Sequence, residues 1–212
     1  MQYQLIPQIL LTSTGAVSNK DGAPQEIHLR QGSADGACGA YSVMMTLLIL
    51  GQLDYEQVTA LSRLDRRTRP GRLQTGLEKY PGLFQQGLDG HDISVLLHNF
   101  NQVLATEEEK QPENCWQFIL DHLEQDHPVI IGLQCDGFGH WMVIVGTETD
   151  TKGKVTRLLA LDSTANAPDV CPWNAFITPR KNKRQLFPME WHSGGITRNT
   201  RLDEAVAVWL RA

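Results

Sequence analysis

The chain has 212 residues, 41% of them hydrophobic and 20% charged, with 18 Gly and 10 Pro, a globular composition that excludes collagen-like and wholly disordered chains. Its formal charge of −5, from 19 Lys and Arg against 24 Asp and Glu, supplies no global basic field to draw it to nucleic acid or anionic lipid. No apolar run approaches the roughly 18 residues that a membrane span requires.

In chain order, the first 14 residues, MQYQLIPQILLTST, lack a basic flank and carry Gln2, Gln4, Pro7 and Gln8 where a signal peptide would be apolar. They read as mature structure, which implies a cytoplasmic protein or one exported without an N-terminal signal peptide. Extended stretches are expected at Tyr3 to Leu11 and Glu26 to Arg30. The run from Cys38 to Leu50 is apolar all round except for Ser42 and Thr46, which share one narrow face, and this is the pattern of a buried helix. Asp54 is a fair N-cap for a helix over 55–64, and Ile93, Leu96, Leu97, Phe100 and Leu104 mark another over 92–104.

Three charged stretches stand out: Arg63, Arg66, Arg67, Arg69 and Arg72; Glu107 to Glu109; and Arg180, Lys181, Lys183 and Arg184. Neither basic stretch is interleaved with aromatics that could stack bases, so all three read as solvated faces or loops. A short amphipathic helix carrying Trp116, Ile119, Leu120 and Leu123 precedes His127-Pro128, where the chain must turn extended. Strands are expected over 129–134, 141–147, 155–161 and 185–191. Residues 202–210 fit a helix or a strand, and the Pro-rich stretch 167–179 reads as a surface loop. Helices followed by strands argue for an α+β domain with an antiparallel sheet, a single unit over 1–212 with a helical part at about 31–125 and a sheet part at about 128–212.

The cysteines Cys38, Cys115, Cys135 and Cys171 are 77, 20 and 36 positions apart and form no C-x-x-C pair, so neither a disulfide framework nor a zinc site is suggested. The histidine pairs, His91 with His98 and His122 with His127, have no convincing metal-ligand spacing either. One cysteine is different. In Q-G-S-A-D-G-A-C-G-A-Y, Gln31 to Tyr41, a glycine-rich loop delivers Cys38 to the first turn of the buried helix. Unpaired N–H groups and the positive helix end favour thiolate, the nucleophilic form. Gly36 and Gly39 would let a substrate carbonyl approach the main chain, and the Cys38 N–H could help hold an oxyanion.

A base is needed, and G-F-G-H-W offers His140 at the start of a strand, with Asp162 in L-D-S-T at the end of the next. A hairpin centred on residue 151 would make the two cross-strand neighbours, Met142 facing Ala160 and Ile144 facing Leu158, with side chains about 5 Å apart at Cβ. A slip of two residues would keep the face and still allow contact. A carboxylate there would orient the imidazole and fix its tautomer. His192, beside Trp191, is an alternative base only if that hairpin is wrong.

In this ordered set the chain resembles the papain-like cysteine peptidases, and among them it is most similar to the bacterial double-glycine peptidases that process bacteriocin leaders. The resemblance implies a papain-like fold with a central helix on an antiparallel sheet. It also implies Cys38 as nucleophile, His140 as base and later acid, Asp162 as orienting carboxylate and Gln31 as side-chain donor of the oxyanion hole. Gln31 lies seven residues before Cys38, a longer gap than the family usually shows, and the C-G-S-C-W run of plant enzymes is absent. The implied activity is hydrolysis of a protein or peptide substrate through a thioester, with no cofactor. Two alternatives stay open: transfer of the acyl group to an amine, and a catalytically silent peptide-binding module. An isolated domain without a G-x-x-x-x-G-K motif further suggests an effector or toxin rather than a transporter-coupled enzyme.

Overall fold

The computed structural model describes residues 1–211 apart from 14, 21, 33–34, 81–86 and 181–184, with the backbone alone at residue 20. Lys181, Lys183 and Arg184 of the second basic stretch therefore lie outside the described residues. Strands β1 (Gln2–Leu5), β2 (Ile9–Thr12), β3 (Gly15–Lys20) and β4 (Ala23–Glu26) open the chain. The last three form a small antiparallel sheet of their own. Past β4, Ile27, His28 and Leu29 are buried but join no strand, so of the extended stretch expected over 26–30 only Glu26 pairs, as the end of β4.

Helix α1 (Cys38–Ile49) is buried at every position but Tyr41, as its all-round apolarity requires. The helix expected over 55–64 is shorter, α2 (Tyr55–Thr59) followed by a 3₁₀ turn at Leu61–Arg63, with the Asp54 N–H bonded to Gln57 Oε1 at 3.0 Å. The basic stretch runs into an unanticipated helix, α3 (Arg69–Leu77), opened by Thr68, whose hydroxyl accepts from the Gly71 N–H at 3.2 Å, and by Pro70 in the first turn. Helix α4 (Gly90–Leu97) stops early. A 3₁₀ turn at His98–Phe100 leads into strand β5 (Leu104–Glu109), so the acidic run is part of a strand. The apolar spacing through Phe100 and Leu104 reports burial in three different backbone conformations.

After α5 (Pro112–Leu123) come β6 (Val129–Cys135), β7 (Phe138–Thr149), β8 (Val155–Leu161), β9 (Ala175–Pro179), β10 (Met189–Ser193) and β11 (Ile196–Leu210). The architecture is mixed α and β around one large antiparallel sheet of eight strands, with β1 and β5 drawn in from the N-terminal half. Among the described residues every helix lies before residue 128 and only strands follow it, but β5 falls inside the part expected to be helical. Strand β9 corrects the loop expected over 167–179, because Ala175 and Ile177 are buried between β8 and β10. Residues 202–210 are strand, held by β6 on one edge and β5 on the other.

The pairings β7–β6–β11–β10–β9–β8 return to β7, so six strands close on themselves. Helix α1 packs chiefly on β7. Among the described residues no helix is long and apolar enough to cross a membrane.

Candidate active site

The β6–β7 hairpin turns at Gly137, whose φ of 82° lies in the left-handed region that glycine enters without strain. Two residues into β7 the chain presents Gly139, then His140 and Trp141, both buried. Strand β8 pairs with β7 in the register Val143 to Leu161 and Ile144 to Ala160, with a bulge before Gly146. This register is slipped by two from the one expected, which had Ile144 facing Leu158. Because the side-chain period of a strand is two, the slip preserves the face. Asp162, just beyond β8, stands diagonal to His140 rather than opposite it, and its Oδ1 lies 2.9 Å from His140 Nε2.

Asp162 is fully buried and densely held. Its Oδ1 also accepts from the Thr164 N–H at 2.9 Å and the Thr164 hydroxyl at 2.8 Å, and its Oδ2 from the Ser193 hydroxyl at 2.5 Å. The Asn174 side chain clamps the backbone, accepting from the Asp162 N–H at 2.7 Å and donating to its carbonyl at 2.8 Å. Burial works to raise the carboxyl pKa, but the His140 hydrogen bond and charge, with Ser193 and Thr164, outweigh it and hold the group down at about 2. For His140 burial is again the largest single influence and lowers the pKa. The hydrogen bonds and charges of Asp162 and Cys38 together overcome it and lift the imidazole to about 9.

Cys38 begins α1 behind Ala37, which has no side chain able to cap the helix. The first helical acceptor is used by Tyr41, so the N–H groups of Cys38, Gly39 and Ala40 have no partner within the helix. Cys38 Sγ accepts from the Trp141 N–H at 3.4 Å, and the thiol acts on the neighbouring imidazole, adding to what raises the His140 pKa. With Nε2 engaged by Asp162, Nδ1 is the imidazole nitrogen left for the sulfur. Cys38 and His140 line a cleft of about 680 Å³, with Asp162 buried behind the imidazole that it holds.

Gln31 stands on the wall of the same cleft. Its backbone N–H donates to the Ser163 carbonyl at 2.9 Å, its Oε1 accepts from the Ser163 hydroxyl at 2.7 Å, and its Nε2 donates to the Asp35 carbonyl at 3.2 Å. The loop before Cys38 is therefore fastened to the residue after Asp162. Gly39 has a role other than the substrate approach expected of it. A Cβ there would lie 3.1 Å from Leu88 Cβ and 3.3 Å from Trp141 Cδ1, so this glycine admits two core side chains.

Trp191 lies on the sheet beside the site. Its ring stacks on His140 at 4.6 Å and 19° and, being buried, excludes water from one imidazole face. His192 points the other way, stacked on Phe176 at 4.4 Å, with its Nδ1 2.9 Å from Thr197 Oγ1, and does not line the cleft. Trp191, Ser193 and Asn174 escape a sequence reading because β9 and β10 bring them in from distant segments. Thr164 had a local signal, since D-x-T is a pattern in which the aspartate accepts from the backbone two residues on.

No protein-family model matches this chain, that of the double-glycine peptidases included, and no curated protein matches it. Among solved structures, UfSP from C. elegans is similar over 100% of this chain and 36% of its own, with 15% identity and a TM-score of 0.44. The chain thus spans about a third of that protein's length.

Proposed function

We propose that the protein is a papain-like cysteine hydrolase that cleaves a peptide or amide bond through a thioester on Cys38. The observation that carries this reading is that Cys38 and His140 line one cleft, with the fully buried Asp162 bonded to the imidazole behind them. In this mechanism Cys38 passes its proton to His140, and the sulfur attacks the carbonyl carbon and displaces its π electrons onto oxygen. The oxyanion is met by the unpartnered N–H groups at the start of α1 and by the Gln31 amide. His140 then protonates the departing amine as the C–N bond breaks and the thioester forms. Neutral imidazole next takes a proton from water, whose hydroxyl displaces sulfur and regenerates the thiolate. Asp162 keeps the Nε2–H of the imidazole in place throughout. A place in the double-glycine branch rests on the order of the sequence motifs alone, and a role as an effector on the missing G-x-x-x-x-G-K motif and on analogy of fold.

The direct test is alkylation of the folded protein with iodoacetamide, read by peptide mass spectrometry. Cys38 is expected to react at least tenfold faster than the other cysteines. Burial, with the charge of Glu109 adding to it, pushes the Cys115 thiol up to about 12, burial also raises Cys135, and the half-buried Cys171 donates to the Trp173 carbonyl at 2.8 Å. Equal labelling of all four cysteines would remove the case for a nucleophile.

Gln31→Ala separates oxyanion binding from thiolate formation. Loss of one oxyanion donor is expected to lower kcat by about 10²-fold with little change in KM. Alkylation of Cys38, which builds no oxyanion, should proceed as before. A parallel fall in both rates would instead make Gln31 a fastener of the loop through Ser163 and Asp35.

A further inference from the structure

The wall of the cleft that carries His140 continues past the imidazole onto a ledge made by two hairpins. One is the β6–β7 turn, followed by Phe138, and the other is the β10–β11 turn at Gly194 and Gly195, whose φ values are 55° and 79°. In the β10–β11 register Trp191 faces Arg198 and Ser193 faces Ile196, and opposed residues of an antiparallel pair project to the same side. Since Trp191 stacks on His140 and Ser193 bonds Asp162, Ile196 and Arg198 stand on the cleft side as well. Thr197 between them reaches His192 on the opposite side.

This ledge is unusual in what it exposes. Ile196 is 56% and Phe138 38% exposed, and the Arg198 guanidinium lies 5.3 Å from the centre of the Phe138 ring. On the same sheet Arg157, Arg180 and Arg201 each face a carboxylate, at 3.0, 3.7 and 3.8 Å. Arg198 makes no ion pair among the described residues. Among the described residues the one acidic side chain lining the cleft is Asp35, which spends its oxygens on the N–H groups of Gly32 at 2.7 Å and Ala37 at 3.3 Å in its own loop. A guanidinium held by its face on an aromatic ring keeps its edge donors free for two parallel bonds to a carboxylate.

Position relative to the chemistry decides which part of a substrate meets this ledge. The acyl group stays on Cys38 at the start of α1, whereas the amine departs toward the imidazole that protonates it. We propose that Phe138, Ile196 and Arg198 form a subsite on the leaving-group side of the scissile bond, which takes a carboxylate next to an apolar residue. The inference rests on the reading of Cys38 and His140 as nucleophile and acid. The carboxylate is that of an aspartate or glutamate side chain or that of the substrate's C-terminus, and both present the same two oxygens to Arg198.

The test is cleavage-site sequencing on a randomised synthetic peptide library, made once with free and once with amidated C-termini, with Cys38→Ala as the blank. In the wild type, Asp or Glu is expected among the first three leaving-group positions at several times its background frequency. For a peptide so substituted, Arg198→Ala should lower kcat/KM by about tenfold, the scale of one exposed charge-assisted hydrogen bond. Arg198→Glu should turn the preference to Lys and Arg. An Asp or Glu preference that persists on amidation assigns the carboxylate to a side chain, whereas cleavage concentrated within three residues of a free C-terminus and lost on amidation assigns it to the substrate's end. Cys38-dependent cleavage with neither an acidic nor a free-C-terminus preference, or with one unmoved in both Arg198 variants, overturns the subsite and leaves the hydrolase reading standing. Cleavage undiminished in Cys38→Ala overturns that reading, and the subsite with it.

Discussion

In His140→Ala, turnover is expected to fall by about 10⁴-fold or more, because the group that carries the proton in both halves of the reaction is gone. The same change strips a fully buried carboxylate of its charged partner, and stability should drop by roughly 3–5 kcal/mol, the usual consequence of breaking one side of a buried pair. Asp162 would then have only Ser193 and Thr164 to face it. Two measurements distinguish lost chemistry from lost fold: urea unfolding of the variant, and turnover with added imidazole, which can enter the space vacated beneath Trp191. Turnover within tenfold of wild type in the folded variant would exclude His140 as the base.

Asp162→Ala and Asp162→Asn should part company. Alanine leaves the donors of Thr164 and Ser193 without an acceptor and His140 without an orienting partner, and a loss of about 10³–10⁴ in kcat is expected. Asparagine suits the site better. Three donors converge on the Oδ1 position, which fixes the amide oxygen toward His140, and the Ser193 hydroxyl can turn to accept from the amide nitrogen. What asparagine removes is the charge, and that charge is among the influences raising His140 to about 9. The alkaline limb of the pH–rate profile should therefore move to lower pH in Asp162→Asn, with geometry preserved. An alkaline limb unmoved in Asp162→Asn would mean that Asp162 does not set the His140 charge. Wild-type stability follows from the same pair. The contribution of His140, raised above its ordinary 6.5, is fully present below that value and lost as pH rises through about 9. That of Asp162, depressed below its ordinary 3.8, is present above that value and lost as pH falls through about 2. Denaturation midpoints should thus be highest between about pH 4 and 6.5 as far as these two groups govern them, and a midpoint still rising toward pH 9 would contradict this.

The elements most legible in the sequence are those that are apolar along nearly their whole length or sharply bounded by turn residues. Cys38 to Ile49 has no polar face to misplace, and Val155 to Leu161 is bounded on both sides by turn residues. What sequence patterns could not resolve was conformation where burial continues through a change of backbone, as from Ile93 in α4 through Phe100 to Leu104 in β5. The hairpin register failed by two residues because Asp150 and its turn shift the centre, Asp150 Oδ1 accepting from the N–H groups of Lys152 at 2.8 Å and Lys154 at 3.0 Å. The diagonal meeting of His140 and Asp162 could not be read from spacing. Nor could Asn174, whose hold on Asp162 depends on residues 162 and 174 flanking the same bend between β8 and β9.

The closed circuit of strands has a bearing on how this protein behaves in a crowd. A sheet that returns to itself offers no row of unpaired amides inside the ring, so the main sheet can recruit a foreign strand only along β1 or β5, each of which pairs on one side among the described residues. Strand β5 is the one that carries Glu107, Glu108 and Glu109. Three successive carboxylates on a free edge repel any second copy that tries to dock in register, and so guard the molecule against edge-to-edge polymerisation. The acidic run thus guards the β5 edge, whose neighbour β11 leads back to the cleft at Ile196 and Arg198.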